Sequence, residues 1–366
     1  MNVKIKNAEL GPLRVGFVPL TDCAPLVMAQ ELGLFRKFGL RVTLERELGW
    51  ATVRDKIIYG ELDAAHALAA MPVAATLGLG SIPCACLTGL VLNLNGNAIT
   101  LSNDLWNRGV RDGDTLREEI KCLRPQKPLT FGVVFPFSSH RHLLRKWLSA
   151  HGIDSDRDVR IVVVPPPQMA ANLKAGNLDG FCAGEPWNSV AVQARAGWCV
   201  VTSAQLDHGH PEKVLMVRQE FAAQRPNEHR ALIAALLEAC EFCAATENHE
   251  RIAATLARPE FVGVPAELLR RGLDGRLDFG RADIHAVADF CVFHGGSANE
   301  PAGDKAAWAL ALVQASGLCP RPSEIDFALG RQVFRTDFFE QAFRLSRETP
   351  NPTHHETESK TEPALV

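Results

Sequence analysis

The amino-acid sequence predicts an α/β protein of two similar lobes joined by a hinge, with a cleft between them. The chain has 366 residues, which is too long for one compact core. Its first clear unit, "LRVGFVPLTDCAPLVMAQELGLF" from Leu13 to Phe35, has the pattern of a strand, a Pro-marked turn and an amphipathic helix. The same design recurs later in the chain.

The recurrence has one fixed spacing. "LRVGFVP" from Leu13 matches "LTFGVVFP" from Leu129, and "GELDAAHA" from Gly60 matches "GNLDGFCA" from Gly176. The identical residues lie 116 positions apart: Leu13/Leu129, Gly16/Gly132, Gly60/Gly176, Leu62/Leu178 and Asp63/Asp179. A shared offset at both ends predicts two related βαβαβ units with largely parallel sheets.

The repeat also predicts the lobe boundaries. We expect lobe one to comprise residues 13–97 and 204–345, and lobe two residues 98–203. Two crossings between the lobes make a hinge, and the carboxyl ends of the strands then converge on the cleft. The polar, Pro-containing tail at 346–366 is expected to be disordered.

Composition and charge exclude several classes of protein. Hydrophobic residues make up 46% and charged residues 22%, which is typical of a globular protein and not of a disordered one. The formal net charge of −3 gives no basic field to attract nucleic acid or an anionic membrane. The N-terminal "MNVKIKNAELGP" has no continuous apolar stretch, so the sequence predicts a cytoplasmic protein without an export signal.

Two candidate cleft residues lie in lobe one and at its exit. Trp50 precedes a helix expected to begin near Ala51 or Thr52, where backbone N–H groups and the indole N–H can hold a small anion. Asn97 follows Gly96 in "NLNGNAI", and its amide can donate to an oxyanion. A core tryptophan and a simple Asn-Gly turn are the alternatives.

Two further candidates come from lobe two and the return crossing. His140 ends "VVFPFSSH" at the start of the helix "RHLLRKWLSAHG", which Ser138 or Ser139 can cap; His142, two residues further on, is the alternative histidine. Lys213 enters an apolar strand in "HGHPEKVLMV", and a buried ammonium needs a counter-charge. That partner is either a carboxylate, such as Glu185 or Glu212, or a bound anion.

The segment "FCAGEPW" closes a strand onto a turn. It places Gly184 and Glu185 at the expected hinge or cleft floor. Local spacing provides no nucleophile–base pair, no phosphate-binding loop and no catalytic serine motif. The sequence therefore favours a binding protein over an enzyme and implies no cofactor.

Four segments carry a more specific resemblance: "GWATVRDKI" (49–57), "AAHALAAMPV" (64–73), "VVVPPPQMAANLKAGNLDGFCAGEPWN" (162–188) and "HPEKVLMVR" (210–218). They closely resemble the nitrate- and bicarbonate-binding proteins of ABC transporters, the NrtA and CmpA type. This resemblance implies the two-lobed periplasmic-binding-protein type II fold with a hinge and an interlobe cleft.

The resemblance also implies a ligand set. Nitrate-binding members hold the anion with a Trp, a Gln, a His and a Lys, which match Trp50, His140 and Lys213 here, while Asn97 stands where Gln is usual. Bicarbonate binders carry an acidic residue in place of the Lys and recruit calcium. Lys213 therefore favours nitrate or nitrite without a metal, its ammonium neutralising the single negative charge.

The expected lack of an export signal and the resemblance to this family together suggest a role for the protein. Cytoplasmic members of the family, nitrate sensors of the NasS type, sequester a NasT-like RNA-binding antiterminator of the ANTAR class and release it when nitrate or nitrite binds. The sequence is thus interpreted as such a sensor, without direct contact to nucleic acid or membrane. Two alternatives are a nitrate transporter's substrate-binding component and a thiamine-pyrimidine synthase-like enzyme using His66, Cys84 and Cys86.

Overall fold

The computed structural model describes residues 12–123 and 128–349. Its strands are β1 (Leu13–Phe17), β2 (Val42–Arg46), β3 (Ala64–Leu68), β4 (Cys86–Asn95), β5 (Asn97–Ser102), β6 (Leu129–Val133), β7 (Val159–Val163), β8 (Gly180–Gly184), β9 (Gly197–Thr202), β10 (Pro211–Arg218), β11 (Arg276–Asp278), β12 (Ile284–Ala286) and β13 (Cys291–Val292). The α-helices are α1 (Ala24–Glu31), α2 (Leu34–Lys37), α3 (Trp50–Ile58), α4 (Met71–Thr76), α5 (Asn103–Asn107), α6 (Gly113–Leu123), α7 (Ser139–Ala150), α8 (Met169–Lys174), α9 (Trp187–Gln193), α10 (Ser203–Leu206), α11 (Gln219–Gln224), α12 (Pro226–Ala244), α13 (His249–Leu256), α14 (Ala266–Asp274), α15 (Gly303–Ala315), α16 (Phe327–Val333) and α17 (Thr336–Glu348).

The two main sheets share one plan. The first has the strand order β13-β4-β10-β3-β1-β2, and the second has the order β7-β6-β8-β5-β9. In each sheet the first strand of a repeat unit pairs in parallel with the next two, β1 with β2 and β3, and β6 with β7 and β8. An antiparallel strand then joins, β10 beside β3 and β5 beside β8. Each sheet therefore receives a strand from beyond its own repeat unit.

The repeat predicted from the sequence is present down to single hydrogen bonds. The Asp63 carboxylate accepts the backbone N–H of Arg14 at 2.8 Å, and the Asp179 carboxylate accepts that of Thr130 at 2.7 Å. In both units this aspartate is also hydrogen-bonded through its own N–H to the carbonyl of the same partner. Because β1 and β6 are held at the same point, the parallel register of each unit is set by an equivalent side chain.

Two glycines of the repeat have equivalent packing roles. A Cβ on Gly16 would lie 2.5 Å from the Leu62 side chain, and one on Gly132 would lie 2.9 Å from that of Leu178. Such distances are far below a normal contact, so only glycine lets the leucine seat against the strand. The sequence identities at these positions thus have a packing cause.

The helices after β10 cover the first sheet. Helix α12 is buried along most of its length and packs against α1, α17 and β4. Helix α15 packs against α4 and β10 and also reaches α7 beside the second sheet. None of the helices within residues 12–123 and 128–349 is long and apolar enough to cross a membrane.

The expected tail begins too early at residue 346. Helix α17 runs to Glu348 because its amphipathic pattern continues, with Ala342 and Ser346 buried on one face. The remaining positions of the expected tail, 350–366, lie outside the described residues.

Candidate functional site

The chain passes between the two sheets at two places. Gly96 separates β4 from β5 and has a φ of +97°, a left-handed conformation that favours glycine. The return passes through α10 and reaches β10. The backbone N–H of Asn97 donates to the Ser203 hydroxyl at 3.1 Å, so the two crossings are tied together where the candidate residues meet.

Lys213 lies at the centre of this region and is fully buried. Its ammonium donates to Asp22 Oδ2 and to Glu212 Oε1, both at 2.7 Å. The sequence suggested Glu212 or Glu185 as carboxylate partners of Lys213. Glu212 contacts the ammonium, whereas Glu185 does not hydrogen-bond to it. Asp22 was not predicted. Two carboxylates therefore already serve as counter-charges of this ammonium, and a bound anion would be a further contact and not its sole counter-charge.

Adjacent residues of a regular strand point to opposite faces, yet Glu212 and Lys213 contact each other. The pairing of β10 with β4 explains this, since its register shifts on both sides of Lys213. Such irregularities re-aim side chains. Here they bring an acidic and a basic neighbour into one cluster.

Asp22 links the ammonium to the interior of lobe one. It lies in a short 3-10 helix, Thr21–Cys23, after β1, and its Oδ1 is 2.9 Å from Nε2 of His66 on β3. The His66 ring in turn packs against Trp50, with centroids 5.6 Å apart. Lys213 Nζ lies 5.4 Å from the centroid of the Trp50 ring. Trp50 thus borders the charged cluster.

Asn97 and His140 complete the cluster from the side of the second sheet. The Asn97 side-chain amide donates to Glu212 Oε2 at 2.6 Å. His140 lies in the first turn of α7, which Ser138 caps by accepting the N–H of Arg141. Its Nε2 is 3.8 Å from Glu212 Oε1. The structure therefore brings Trp50, Asn97, His140 and Lys213 into one cluster.

Burial and charge set the ionisation of this cluster. Burial raises the pKa of Asp22 and of Glu212, but the Lys213 ammonium, its hydrogen bonds and the nearby histidine rings together outweigh it, so both values lie below normal, that of Glu212 at about 2. Burial lowers the pKa of Lys213, but the two carboxylates raise it by more. All three groups are therefore charged at neutral pH.

The histidines behave differently. Burial lowers the pKa of His140 to about 4, and the nearby Glu212 opposes this only in part. Burial likewise lowers the pKa of His66 and of His210. The three rings are consequently neutral near pH 7.

Several buried polar atoms of the cluster have no hydrogen-bond partner within the described part of the chain. They are Trp50 Nε1, Asn97 Oδ1, His140 Nε2, His66 Nδ1, His210 Nε2 and Thr21 Oγ1. An unpaired buried polar group is costly, and an indole nitrogen can only donate. Trp50 and His140 approach from different sheets, so the arrangement suits a small ligand with acceptor oxygens between the lobes.

The remaining predicted positions surround the cluster. Helix α3 begins at Trp50 itself, and Ala51 and Thr52 have exposed side chains in its first turn. Gly184 pairs with Asn97 across β8 and β5, and a Cβ there would lie 3.4 Å from Asn97 Oδ1. Gly184 thus borders the cluster at an ordinary contact distance.

Glu185 connects the crossing at Gly96 to the segment after β1 through its backbone. Its N–H donates to the Gly96 carbonyl at 3.3 Å, and its carbonyl accepts the N–H of Thr21 at 2.8 Å. The buried carboxyl accepts the N–H of Ser189 at 3.3 Å, and burial raises its pKa to about 7. Its contacts are those of a structural residue at the junction.

Sequence reasoning missed Asp22 and His210 as members of the site and considered His66 only for an enzyme. A signal for Asp22 existed, since it follows the first parallel strand in "FVPLTDC", where cleft residues are expected. No sequence signal pointed to His210. Its ring stacks on Trp308 of α15 with centroids 5.2 Å apart, and a contact between residues almost one hundred positions apart cannot be seen in a local pattern.

The fold and this buried interlobe cluster define a two-lobed solute-binding protein of the periplasmic-binding-protein type II class. A profile of the NMT1-like family matches residues 6–257, and the chain belongs to this family. It is 32% identical to the nitrate/nitrite binding protein NrtA of Synechococcus elongatus over 94% of this chain and 80% of that protein. NrtA proteins are solute-binding proteins and not enzymes.

Solved structures agree on the architecture. The periplasmic nitrate-binding protein NrtA from Synechocystis superposes with a TM-score of 0.88 at 30% identity, covering 93% of this chain and 90% of that one. The alkanesulfonate-binding protein SsuA from Xanthomonas axonopodis shares the fold at a TM-score of 0.65 and 17% identity, covering 86% of this chain and 96% of that one.

Other relatives are much longer proteins. The nitrate import ATP-binding protein NrtC of Synechocystis is 41% identical over 91% of this chain. The chain spans about half the length of that protein and of the bicarbonate transport ATP-binding protein CmpC of Synechococcus elongatus, to which it is 38% identical over 91% of its own length.

Proposed function

We propose that this chain is a cytoplasmic nitrate or nitrite sensor. The anion binds between the lobes through Trp50, Asn97, His140 and Lys213 and the first turn of α3. The anion-free protein sequesters a NasT-like RNA-binding antiterminator of the ANTAR class, and anion binding releases it. Nucleic acid is contacted by the partner alone, and no membrane is involved.

The observation that carries the ligand assignment is a pair of buried nitrogens from opposite sheets, Trp50 Nε1 and His140 Nε2, that have no hydrogen-bond partner in the described residues. The indole nitrogen is a donor and the imidazole nitrogen can be one, and a planar oxyanion offers an acceptor oxygen to each in a site that excludes water. The relatives named as nitrate/nitrite binding proteins support the same class of ligand. Bicarbonate, named for CmpC, is the competing small oxyanion.

Hydrogen-bond donors that approach from both lobes also support a regulatory mechanism. An anion that needs both lobes stabilises the closed arrangement, while a partner that prefers the open one is then displaced. By linkage, the antiterminator lowers the affinity for nitrate by the same factor as nitrate lowers the affinity for the antiterminator. The choice of partner follows from the family that residues 162–188 and 210–218 resemble, because its cytoplasmic members without an export signal act on such an antiterminator.

Calorimetry with nitrate, nitrite and bicarbonate, each with and without calcium, tests the ligand. We expect nitrate or nitrite to bind without calcium. Lys213→Glu should abolish binding, because it places a third carboxylate in a buried cluster that already holds two. Tight binding of bicarbonate alone, or retained nitrate affinity in this variant, would contradict the assignment.

Partner affinity tests the sensor role. We expect the antiterminator to bind the anion-free protein and to dissociate as nitrate saturates the site. The import proteins among the relatives favour a second candidate, the substrate-binding component of a nitrate transporter. Deleting the gene separates the two: a sensor's loss makes nitrate-responsive transcription constitutive, whereas a transporter component's loss removes nitrate uptake.

A catalytic role for His66 with Cys84 and Cys86 has no geometric support. His66 is hydrogen-bonded to Asp22 and lies opposite Leu215, whereas Cys86 lies opposite Arg218. Three residues of β10 correspond to about 10 Å, so thiol and imidazole do not form one site.

A further inference from the structure

The buried cluster of Asp22, Glu212 and Lys213 carries one net negative charge, which opposes the binding of an anion. Asp22 and Glu212 are ionised, and Lys213 supplies a single positive charge between them. The side chains of these three residues are at most 4% exposed. A monoanion would therefore raise the excess from one negative charge to two in a region where water screens little.

We propose that the anion enters this site together with one proton, and that the proton is held by the imidazole of His140. The proposal rests on the proposed function, because it concerns how the same site accepts its anion. Uptake of a proton keeps the charge of the cluster unchanged when nitrate binds. The free energy of binding then depends on pH although nitrate itself does not titrate.

His140 is the ring best placed to become an imidazolium. Its Nε2 has no hydrogen-bond partner within the described residues and lies 3.8 Å from Glu212 Oε1. Its Nδ1 lies 3.3 Å from the Ser139 hydroxyl. With both nitrogens protonated, one N–H can donate to the hydroxyl oxygen and the other to the anion or to Glu212.

The imidazole rings of His66 and His210 are less suited to hold the added proton. His66 uses Nε2 for Asp22, and its Nδ1 has no partner in the described residues. His210 is stacked on Trp308, and its Nδ1 is already engaged, 3.3 Å from the Pro211 carbonyl and 3.6 Å from Glu212 Oε2. Its Nε2 likewise has no acceptor there. A proton added to either ring would leave a buried N–H unpaired.

The groups that face His140 set the direction of the pH dependence. They are Glu212 and Lys213 on β10, Asp22 after β1, His210 before β10 and Ser139 on its own helix. In the anion-free protein burial holds the His140 pKa at about 4, so the ring is neutral at pH 7. A bound anion favours the charged ring and raises this pKa. Binding therefore takes up a proton.

Calorimetry tests this directly. Nitrate is titrated at pH 6, 7 and 8 in pairs of buffers with different ionisation enthalpies, so that the buffer dependence of the heat counts protons. We expect close to one proton taken up per nitrate at pH 6 to 7. The Kd should increase by about tenfold per pH unit wherever a full proton is taken up.

Three variants locate the proton. Glu212→Gln removes the excess negative charge and should bind nitrate with little pH dependence. His140→Gln should bind with no proton uptake and with weaker affinity at pH 6. His229→Gln is the matched control: it is equally buried with a pKa lowered to about 4, but it packs against Phe221 and Phe338, and it should behave as wild type.

The outcomes separate the two proposals. No nitrate binding at any pH would reject the proposed function. Nitrate binding to the wild type without proton uptake would reject proton coupling and leave the proposed function standing. Full proton uptake by His140→Gln would overturn the assignment to this ring, and an unchanged pH dependence in Glu212→Gln would overturn the charge argument.

Discussion

Replacing Lys213 by Met tests the charge network without any ligand. The substitution keeps an apolar chain of similar length but removes the ammonium that lies 2.7 Å from both Asp22 Oδ2 and Glu212 Oε1. Two buried carboxylates are then left without their counter-ion. Breaking a buried ion pair in this way costs about 3–5 kcal/mol, a large share of the roughly 5–15 kcal/mol that stabilises a folded protein.

The carboxylate side of the network gives a similar magnitude. The pKa of Glu212 falls from 4.5 to about 2 in the folded protein, which corresponds to about 3 kcal/mol of stabilisation. Because this folded pKa is lowered, the stabilisation is complete above the unfolded value near pH 4.5 and is lost as the pH falls toward 2. Wild-type stability should therefore change little, as far as this group is concerned, between pH 7 and pH 5.

The variant should show the opposite trend. Without the ammonium, burial raises the carboxyl pKa values, so Lys213→Met should be destabilised by about 3–5 kcal/mol at pH 7 and by less at pH 5. Urea unfolding followed by tryptophan fluorescence at both pH values measures this. The matched control is Lys56→Met, whose ion pair with Glu47 has the same 2.7 Å distance but a 27% exposed lysine.

Because the Lys56 ammonium is partly open to water although Glu47 is only 7% exposed, this pair contributes less than a fully buried one, and the control should lose less stability than Lys213→Met at pH 7. If Lys213→Met is no less stable than Lys56→Met at pH 7, the two carboxylates do not depend on the ammonium. A variant whose stability rises from pH 5 to pH 7 would also contradict the reasoning.

Two further predictions concern the ligand contact and the repeat. Trp50→Ala should weaken nitrate binding by about 1–3 kcal/mol, and Trp50→Phe by about 1 kcal/mol, since the phenylalanine variant loses only the hydrogen-bond donor. If calorimetry gives both variants the wild-type affinity, Trp50 belongs to the core and does not contact the anion. Asp63→Ala and Asp179→Ala should each lower the free energy of unfolding by about 1.5–3 kcal/mol, because each removes an equivalent hydrogen bond between a carboxylate and the backbone. Unfolding midpoints that differ widely between these two would show that the repeat units are not energetically equivalent.

The fold could be predicted because its evidence is local and repeated. Gly16 and Leu62, with Gly132 and Leu178, lie at one sequence offset since each glycine receives its leucine in the same way. The two βαβαβ units and their parallel strands follow from such patterns, whereas the antiparallel strand that joins each unit does not. The extent of α17 did not follow, because a polar sequence can still bury one narrow face such as that of Ala342.

The site was only partly predictable, for a physical reason. The positions of Trp50 and His140 follow from helix N-termini that face a cleft, which a sequence reveals. The counter-ions of Lys213 do not, because Asp22 is 191 residues away and Glu212 reaches the ammonium only through an irregular strand. Charge balance in a buried site is a sum over contacts distant in sequence.

The irregular pairing around Lys213 makes the charge of the cluster depend on backbone geometry as well as on side-chain identity. In a regular strand Glu212 and Lys213 would point to opposite faces, and only one of them could belong to the cluster. Without Glu212 the charges of Asp22 and Lys213 would cancel, and without Lys213 the two carboxylates would repel each other. The local path of one strand thus decides the electrostatic character of the site.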